Sequence, residues 1–401
     1  MRDRPGRVSA IFPFEGTSLT RVLLVLRTLP RHPGRGWRWL RSRLVREWRS
    51  PGTSLGRWIR GLRRTRQELS KNRHLKMSSD VPVPDAELRY FWDLAVCPLT
   101  FDIVWNLCHA EVVRRSRNLA SIHVLIVPEW EKGIEYTGQY RAYDQIINSN
   151  KRTWRLHNVI IPCLLLMPGV QKITVCQSRA DAESLWKVPS RFVFPPDYSV
   201  QSPTLLEQPS YPQEIQSSEC FHIVKTPEGA LGYIGDLLAR QAGGRRTVTI
   251  TLRQYDFAPD QNSNVANWIS FIDGLDPAVY LPIIIPDTES SFSGLPADLD
   301  RHFVFEPAAW NVHLRSALYE RAWLNMGVVT GPIFLAVHSP KARYVIFCDA
   351  KNPALSSKLE LMGLSTAENP AFCLEGQRWV WEQDTRENIC RVFREIEDSK
   401  S

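Results

Sequence analysis

The sequence lacks three features that would each assign it to a broad class of proteins. Its eight cysteines include no C-x-x-C pair, and most lie in apolar runs such as 94–97, so we expect buried thiols in a reducing compartment rather than disulfides or a zinc site. No apolar run has the length of a bilayer span, since the longest, 159–170, is interrupted by Pro162 and Pro168. The N-terminus has no uninterrupted apolar stretch with a cleavage site, which argues against a secretory signal.

Acidic residues are scarce at the N-terminal end of the chain. Residues 1–78 contain 20 Lys and Arg but only 4 Asp and Glu, whereas the remaining residues contain 30 and 38. The basic character therefore belongs to one segment, and the rest of the chain is slightly acidic. This distribution argues against a nucleic-acid partner for the body and indicates an anionic partner for the N-terminal arm alone.

The arm contains two stretches with helical apolar spacing, separated by a Ser-Pro-Gly break at 50–52. The apolar stripes are Trp37, Leu40, Leu44 and Trp48 in the first stretch, and Leu55, Trp58, Ile59, Leu62 and Leu69 in the second. Arginines fill the remaining faces, and this composition is typical of a helix that lies in a lipid headgroup layer. We expect residues 36–66 to bind an anionic membrane surface, so that a cytoplasmic protein associates peripherally with a membrane. An organellar transit peptide, an RNA-binding arm and a segment that docks on the body are the alternatives.

Beyond the arm, apolar strand patterns alternate with helical patterns. Strands are predicted at 90–97, 121–128, 173–176, 247–252, 280–285, 327–329 and 344–348. Helices are predicted at 101–117, 140–150, 155–166, 229–240, 265–275, 309–323 and 385–397, and a further helix begins near Pro332. We expect the C-terminal helix, 385–397, to pack across or beside the junction of the two domains defined below. Buried strands that alternate with helices predict parallel sheets covered on both faces.

The predicted fold is α/β, with two Rossmann-like domains preceded by a basic amphipathic helical arm. The arm covers 1–78, the first domain 79–200, a Pro- and Ser-rich linker 201–225, and the second domain 226–401. Two such domains enclose a cleft, and ligands in open parallel sheets bind at the carboxyl ends of the strands.

Two predicted strand ends in the second domain carry polar residues. Arg253 ends one strand and is suited to bind a phosphate with both arms of its guanidinium, although a surface salt bridge would also explain it. The following loop, Asn262, Ser263 and Asn264, offers hydrogen-bond donors and a cap for the next helix. Asp287 follows the next strand, with Glu289 close by; the pair suits a metal ion, but no second acidic cluster or histidine supports one, so we favour a turn at Asp287 and predict no metal.

A third strand end contains Thr330, Gly331 and Pro332. Glycine permits close approach of the backbone to a ligand, and proline is favoured at the first position of a helix. The free N–H groups at a helix start attract anions. Together with Arg253, this turn predicts a diphosphate site.

The segment 327–336 resembles the donor-binding strand–turn–helix of GT-B heptosyltransferases. The family's Thr-Gly-Pro-x-x-Leu-Ala is matched by Thr330, Gly331, Pro332, Leu335 and Ala336. The segment 249–256 is similar to the arginine-containing strand end of fucosyltransferase-like GT-B enzymes, through Arg253 and Asp256. The resemblance spans 245–348. Two positions depart from the heptosyltransferase pattern, because Val329 replaces an aspartate and Phe334 replaces a histidine.

This resemblance implies a metal-independent glycosyltransferase that uses a nucleotide-sugar as substrate and needs no cofactor. It further implies that the first domain binds a glycan or lipid-linked acceptor and supplies the base, for which Asp102 and Glu129 are the candidates. The departures at Val329 and Phe334 support an alternative, a non-catalytic GT-B-like scaffold or binding protein with a membrane- or RNA-binding arm.

Overall fold

The computed structural model describes residues 87–129, 147, 149–187, 192–203, 220–289, 291, 297–361, 363–366 and 368–398. The predicted arm, including residues 36–66, lies outside these ranges. So do most of the predicted linker, at 204–219, and most of the predicted helix 140–150.

Four parallel strands form the first sheet, in the order β3-β2-β1-β4. They are β1 (Glu87–Asp93), β2 (Ser121–Val127), β3 (Val170–Val175) and β4 (Val193–Phe194). The helices of this half are α1 (Asp102–Ser116), α2 (Ser149–Arg155), α3 (Ile161–Leu165) and α4 (Arg179–Lys187), and a π-helical turn (Leu156–Ile160) joins α2 to α3. The inner strands β1 and β2 are almost wholly buried because helices cover both faces of the sheet.

Five parallel strands form the second sheet, in the order β6-β5-β7-β8-β9. They are β5 (Arg246–Thr251), β6 (Tyr280–Ile285), β7 (Leu324–Val328), β8 (Tyr344–Phe347) and β9 (Gln377–Val380). The helices are α5 (Glu228–Ala242), α6 (Val265–Asp273), α7 (Pro307–Trp310), α8 (Val312–Arg321), α9 (Phe334–Val337), α10 (Pro353–Leu361) and α11 (Arg386–Asp398), with 3-10 turns at Pro259–Gln261, Ala297–Leu299 and Gly331–Ile333. These two sheets confirm the predicted α/β fold with two Rossmann-like halves.

The first strand is shorter at its carboxyl end than the sequence predicts. The apolar run suggested a strand through Cys97, but β1 ends at Asp93 and the chain turns. Asp93 causes the turn, since its carboxylate accepts the Ala95 N–H at 3.0 Å and its carbonyl accepts the Cys97 N–H at 2.7 Å. The same buried carboxylate is held by two hydrogen bonds from Arg179, both of 2.9 Å. The turn moves residues 94–97 out of the sheet and to the end of β1.

The long helix predicted over 309–323 is two helices in the structure. Asn311 leaves helical geometry between α7 and α8, and its side chain accepts the Leu314 N–H at 3.0 Å as the cap of α8. An asparagine in a helical pattern gave the signal for this break, because its side chain competes for backbone N–H groups. The helix predicted over 229–240 is α5, which continues to Ala242. Gly243 then adopts a left-handed φ of 56°, a conformation that glycine permits without strain.

One of the hydrophobic clusters spans both sheets. This cluster of buried side chains contains residues from β1, such as Tyr90, and residues from the second sheet, such as Ile283 on β6 and Tyr344 on β8. The C-terminal helix α11 was expected at the junction of the domains, but it packs on the second sheet, where Phe393 contacts Phe271 of α6 with ring centroids 5.2 Å apart. Within the described ranges, no helix combines the length and apolar character of a membrane span.

Candidate active site

A cleft lies where the carboxyl ends of the two sheets come together. In the first sheet the strand order reverses between β1 and β4, and in the second it reverses between β5 and β7, which is where parallel sheets open a crevice for ligands. The segments that follow β1, β5, β6 and β7 line the cleft, together with the start of α1 and the end of α2. Its cavity volume is about 150 Å³.

Several of the residues singled out from the sequence line this cleft. They are Asp102, Arg253, Asp287, Thr330, Gly331 and Pro332. Asn262, Ser263, Asn264 and Glu129 do not line it. Residues from three predicted strand ends therefore lie together in one cleft, as expected for the carboxyl ends of parallel strands. The residues of the loop 262–264 lie outside the cleft and form hydrogen bonds of their own.

Asp102 is the first residue of α1. Its backbone N–H donates to the Thr100 hydroxyl at 3.4 Å, and its carbonyl accepts from the Asn106 side chain at 2.9 Å. Asp102 is thus held at the start of the helix, and it lines the same cavity as Arg253 and Asp287 of the second half.

Glu129, the other candidate base, is at the end of the segment after β2 and outside the cleft. Its carboxylate is exposed and accepts a hydrogen bond of 2.8 Å from Arg152. An exposed ion pair of this kind contributes little free energy and leaves the carboxylate in water.

Arg253 is buried, and its guanidinium organises the loop that follows β5. It donates to the carbonyl of Ala258 at 2.9 Å, to the carbonyl of Phe257 and to the side-chain oxygen of Asn262. The sequence suggested that both arms of this guanidinium bind a phosphate. The structure places several of its donors on loop oxygens instead, and these bonds hold the loop in place.

The predicted donor loop is held in the same network. Ser263 accepts the Arg253 N–H at 2.9 Å, and the Asn264 side chain accepts the Asn267 N–H at 3.2 Å as the cap of α6. The backbone N–H of Asn264 donates to Asp384 at 2.8 Å. Of the two roles predicted for this loop, the structure shows the helix cap.

Asp287 follows β6 and caps a turn at the cleft. Its carboxylate accepts the Glu289 N–H at 3.1 Å and, more weakly, the Gln254 N–H at 3.4 Å. Burial raises the pKa of Asp287, although these two N–H groups and the charges of Arg315 and Arg155 oppose the shift. The favoured interpretation of this residue as a turn former agrees with these bonds, and the raised pKa makes its carboxylate more basic than an ordinary aspartate.

The Thr-Gly-Pro turn is shorter than the predicted helix start. Gly331, Pro332 and Ile333 form a 3-10 turn, and only the four residues of α9 follow. A helix of four residues has few aligned peptide dipoles. The helix dipole therefore no longer supports the anion site that the sequence predicted at this turn. The tight approach at Gly331 is to the first half of the molecule, because a Cβ at this position would lie 3.2 Å from the Cβ of Phe101.

Phe334, which replaces the family's histidine, packs on Trp105 of α1. Their ring centroids are 3.6 Å apart with the planes tilted by 57°. Aromatic packing between the two halves thus occupies the position where the resembling family carries a polar ring.

Among the cleft residues that were not identified from the sequence, three have hydrogen-bonding side chains that matter below. Trp92 is the penultimate residue of β1, Arg155 is the last residue of α2, and Tyr255 follows Arg253 by two positions. Arg155 donates to Glu289 at 3.0 Å, and its Cζ lies 5.7 Å from the centroid of the Tyr255 ring. Lys151 donates to the same carboxylate at 2.7 Å. Although burial opposes it, these two cations hold the pKa of Glu289 below its usual value.

A larger cavity, of about 310 Å³, lies at the opposite edge, near the amino ends of β2 and β3. Its acidic side chains are engaged: Glu111 accepts from Arg114 and Arg115, and Glu320 accepts from Thr226. We assign the candidate site to the smaller cleft because it lies at the strand ends where parallel sheets bind ligands. No group of three or more metal-binding side chains is found in the part of the chain that the structure describes.

No protein-family model and no curated protein matches this chain. Solved structures similar to it include a family 9 glycosyl transferase from Veillonella parvula, with 10% identity over 69% of this chain and 84% of that one and a TM-score of 0.41. The ADP-heptose lipopolysaccharide heptosyltransferase II of E. coli has 9% identity over 78% and 98%, with a TM-score of 0.44. A fucosyltransferase from Bradyrhizobium has 11% identity over 63% and 94%, with a TM-score of 0.26. These are the kinds of enzyme that the 249–256 and 327–336 segments resemble, and at these TM-scores the likeness assigns no activity.

Proposed function

We propose that this chain is a glycosyltransferase that moves a sugar from a nucleotide-sugar donor to a glycan or lipid-linked acceptor. One observation carries the proposal: a carboxylate of the first half, Asp102, and the Thr330–Gly331–Pro332 turn of the second half line the same cleft at the carboxyl ends of both sheets. A transferase needs this arrangement, because its base and its donor site must meet across one space.

In the proposed reaction, Asp102 acts as the general base. A hydroxyl of the acceptor attacks the anomeric carbon of the donor sugar while its proton passes to the Asp102 carboxylate. The bond between the anomeric carbon and the diphosphate oxygen breaks, and the nucleoside diphosphate leaves. Arg155 is a cation at the same cleft and offsets part of the charge that develops on the leaving diphosphate.

Replacing the base tests this reaction. A thermal-shift screen of the protein against nucleotide diphosphates and their sugars first identifies the donor, and release of nucleoside diphosphate in the presence of acceptor glycans then measures transfer. Asp102→Asn keeps the shape of the side chain but removes its basicity, so we expect turnover to fall about 100-fold or more while donor binding is retained. We expect added chelator to leave the wild-type rate unchanged.

Glu129→Gln is the matched control, because Glu129 is an exposed carboxylate outside the cleft, and its rate should equal that of the wild type. Full turnover in Asp102→Asn would remove Asp102 as the base and leave Asp287, whose pKa is raised, as the next candidate. If no nucleotide shifts the melting temperature at millimolar concentration, the transferase proposal fails.

A second candidate function is a binding protein or scaffold that retains the fold without the chemistry. Two observations favour it: donors of Arg253 are held by loop oxygens, and Phe334 packs on Trp105 across the two halves. The cavity of about 150 Å³ is also smaller than the roughly 300–1,000 Å³ of a pocket that encloses a drug-sized ligand. Specific nucleotide binding without turnover in any acceptor mixture would support this candidate.

We place the reaction at a membrane surface through the basic arm, residues 36–66, which lie outside the described residues. The supporting observation is the sequence pattern, tryptophan and leucine stripes surrounded by arginine. Flotation with anionic vesicles should recover the full chain at low salt and lose it as salt rises. Salt-sensitive binding to RNA with no binding to vesicles would contradict this placement.

A further inference from the structure

Three buried hydrogen-bond donors of the cleft have no acceptor among the residues that the structure describes. The indole Nε1 of Trp92, the Nε of Arg155 and the hydroxyl of Tyr255 are all shielded from solvent, and no described residue accepts a hydrogen bond from any of them. Trp92 is fully buried and Arg155 is 8% exposed. A buried donor without an acceptor is costly, and native structures tolerate such groups mainly where a ligand or water completes them.

The three donors come from both halves of the molecule and belong to one cavity. Trp92 is the penultimate residue of β1 in the first sheet, Arg155 is the last residue of α2, and Tyr255 follows β5 of the second sheet. The guanidinium of Arg155 lies over the Tyr255 ring, with Cζ 5.7 Å from the ring centroid, so two of the three side chains are in direct contact. A ligand that engaged all three would therefore bridge the two halves.

The chemistry of the three groups restricts what they bind. An indole N–H and a guanidinium N–H donate only, and neither accepts a hydrogen bond. Burial, aided by the charges of Glu289 and Asp287, raises the pKa of Tyr255, so its hydroxyl keeps its proton and donates as well. Three donors that include a cation are complementary to a group that only accepts and is negatively charged.

We propose that Trp92, Arg155 and Tyr255 form a subsite for a compact oxyanion, a phosphate or a carboxylate group, in the wall of the cleft. A single such group fits a cavity of about 150 Å³, whereas a whole nucleotide-sugar extends beyond it. The oxyanion belongs either to the diphosphate of the donor or to an acid group on the acceptor. The subsite lies in the cleft of the proposed transferase, but it binds the anion whether or not transfer occurs.

The carboxylates of Asp102 and Asp287 line the same cavity and weaken anion binding there. We therefore expect millimolar affinity for isolated anions. Isothermal titration of the full chain with inorganic pyrophosphate, inorganic phosphate and glucuronate measures it.

Tyr255→Phe is the central variant, because it removes only the unpartnered hydroxyl. We expect it to weaken binding of the preferred anion about tenfold, the factor that corresponds to one hydrogen bond to a charged group. Without anion, the melting temperature should stay the same or rise, since no hydrogen bond is lost. Arg155→Lys keeps the charge but lacks Nε and should also weaken binding about tenfold.

Tyr198→Phe is the matched control. Its hydroxyl is also buried, but it donates to Asp93 at 2.8 Å. This variant should have a lower melting temperature and unchanged anion affinity, the opposite of Tyr255→Phe. Trp92→Phe removes the unpartnered indole N–H and should likewise weaken anion binding. Its control is Trp186→Phe, because the Trp186 indole donates to the Tyr198 carbonyl at 3.1 Å.

The outcomes separate the possible sources of the oxyanion. If pyrophosphate competes with the nucleoside diphosphate identified by the screen, the subsite belongs to the donor. If glucuronate or phosphate binds together with that nucleotide, the subsite belongs to the acceptor.

Two results overturn the subsite: wild-type anion affinity in Tyr255→Phe, or no binding of any of the three anions. Nucleotide-sugar binding that persists in either case would leave the proposed transferase standing. Conversely, anion binding that is lost in Tyr255→Phe, in a protein that binds no nucleotide-sugar, would keep the subsite and reject the transferase.

Discussion

Two of the regions where the halves of the molecule meet differ in their chemistry. At one, which we call the sealed contact, Cys108, Phe221, His338 and Phe372 pack together. Phe221 stacks on Phe372 with ring centroids 4.1 Å apart and planes within 10°. The ring of His338 bonds to the Phe221 carbonyl at 2.8 Å and contacts the Cys108 sulfur at 3.2 Å.

The other region is the cleft. There, three buried donor groups have no hydrogen-bond acceptor among the described residues, and they belong to Trp92, Arg155 and Tyr255. In the sealed contact, the ring of His338 forms its hydrogen bond with a protein group, the Phe221 carbonyl. In the cleft, the three donors could form hydrogen bonds with a ligand. We therefore expect substitutions in the sealed contact to affect mainly stability, and substitutions in the cleft to affect mainly ligand binding.

Truncating Phe221 should have the largest effect on stability. Phe221 is fully buried in the contact, so Phe221→Ala removes a ring from between the halves and should lower the free energy of unfolding by about 3–5 kcal/mol. Urea denaturation followed by circular dichroism measures this value. The control is Tyr233→Ala on the surface of α5, where the side chain is 51% exposed and the expected change is within about 0.5 kcal/mol. Equal effects of the two variants would contradict the division between sealed contact and cleft.

A smaller effect, dependent on pH, should come from His338. Burial lowers the pKa of His338 to about 3, an effect that the hydrogen bond to the Phe221 carbonyl opposes and the charge of His222 reinforces. The unfolded chain takes up a proton at this histidine near pH 6.5, and the folded chain does not, so the stability is complete above that pH and falls as the pH decreases toward 3. At pH 5 the loss from this one group is about 2 kcal/mol.

His338→Asn can still donate a hydrogen bond to the Phe221 carbonyl but has no ring to protonate. Its free energy of unfolding should differ from that of the wild type by a constant amount above pH 7, and the difference should shrink as the pH is lowered to 5. If the free energies of unfolding of the wild type and of His338→Asn change in parallel between pH 7 and pH 5, protonation of His338 does not contribute to the pH dependence of stability.

The sequence was sufficient to predict the elements of this fold whose side-chain periodicity is simple. The strands β5 and β6 and the helix α6 were found at or near their observed bounds because apolar runs between turn residues have few alternatives. The prediction failed at 94–97, where an apolar run continues but the buried carboxylate of Asp93 turns the chain. A hydrophobic pattern cannot reveal this turn, because the acid that forms it is buried only with the help of Arg179 and Tyr198, which lie far along the chain.

Residues of the candidate site could be predicted better from their positions at strand ends than from sequence motifs. Asp102, Arg253 and Asp287 could be predicted because each follows or adjoins a strand end, and such ends meet at one edge of a parallel sheet. Arg155 could not, because it reaches the cleft from the end of a helix whose direction depends on tertiary packing. A weaker signal did exist for Tyr255, which follows Arg253 by only two positions, and for Trp92, which stands at the end of its strand.

The π-helical turn Leu156–Ile160 directly after Arg155 has a consequence for how this site can change over evolutionary time. The turn joins α2 to α3 in one continuous helical run, and a π turn accommodates one residue more than an α-helical turn. Deleting one residue here would leave a regular helix but rotate Arg155 by about 100° relative to Cys163 and Leu164, which are buried in the core. The direction of this cation toward the cleft therefore depends on helical phase, and the loss of one residue from the turn would change it even if all other side chains stayed the same.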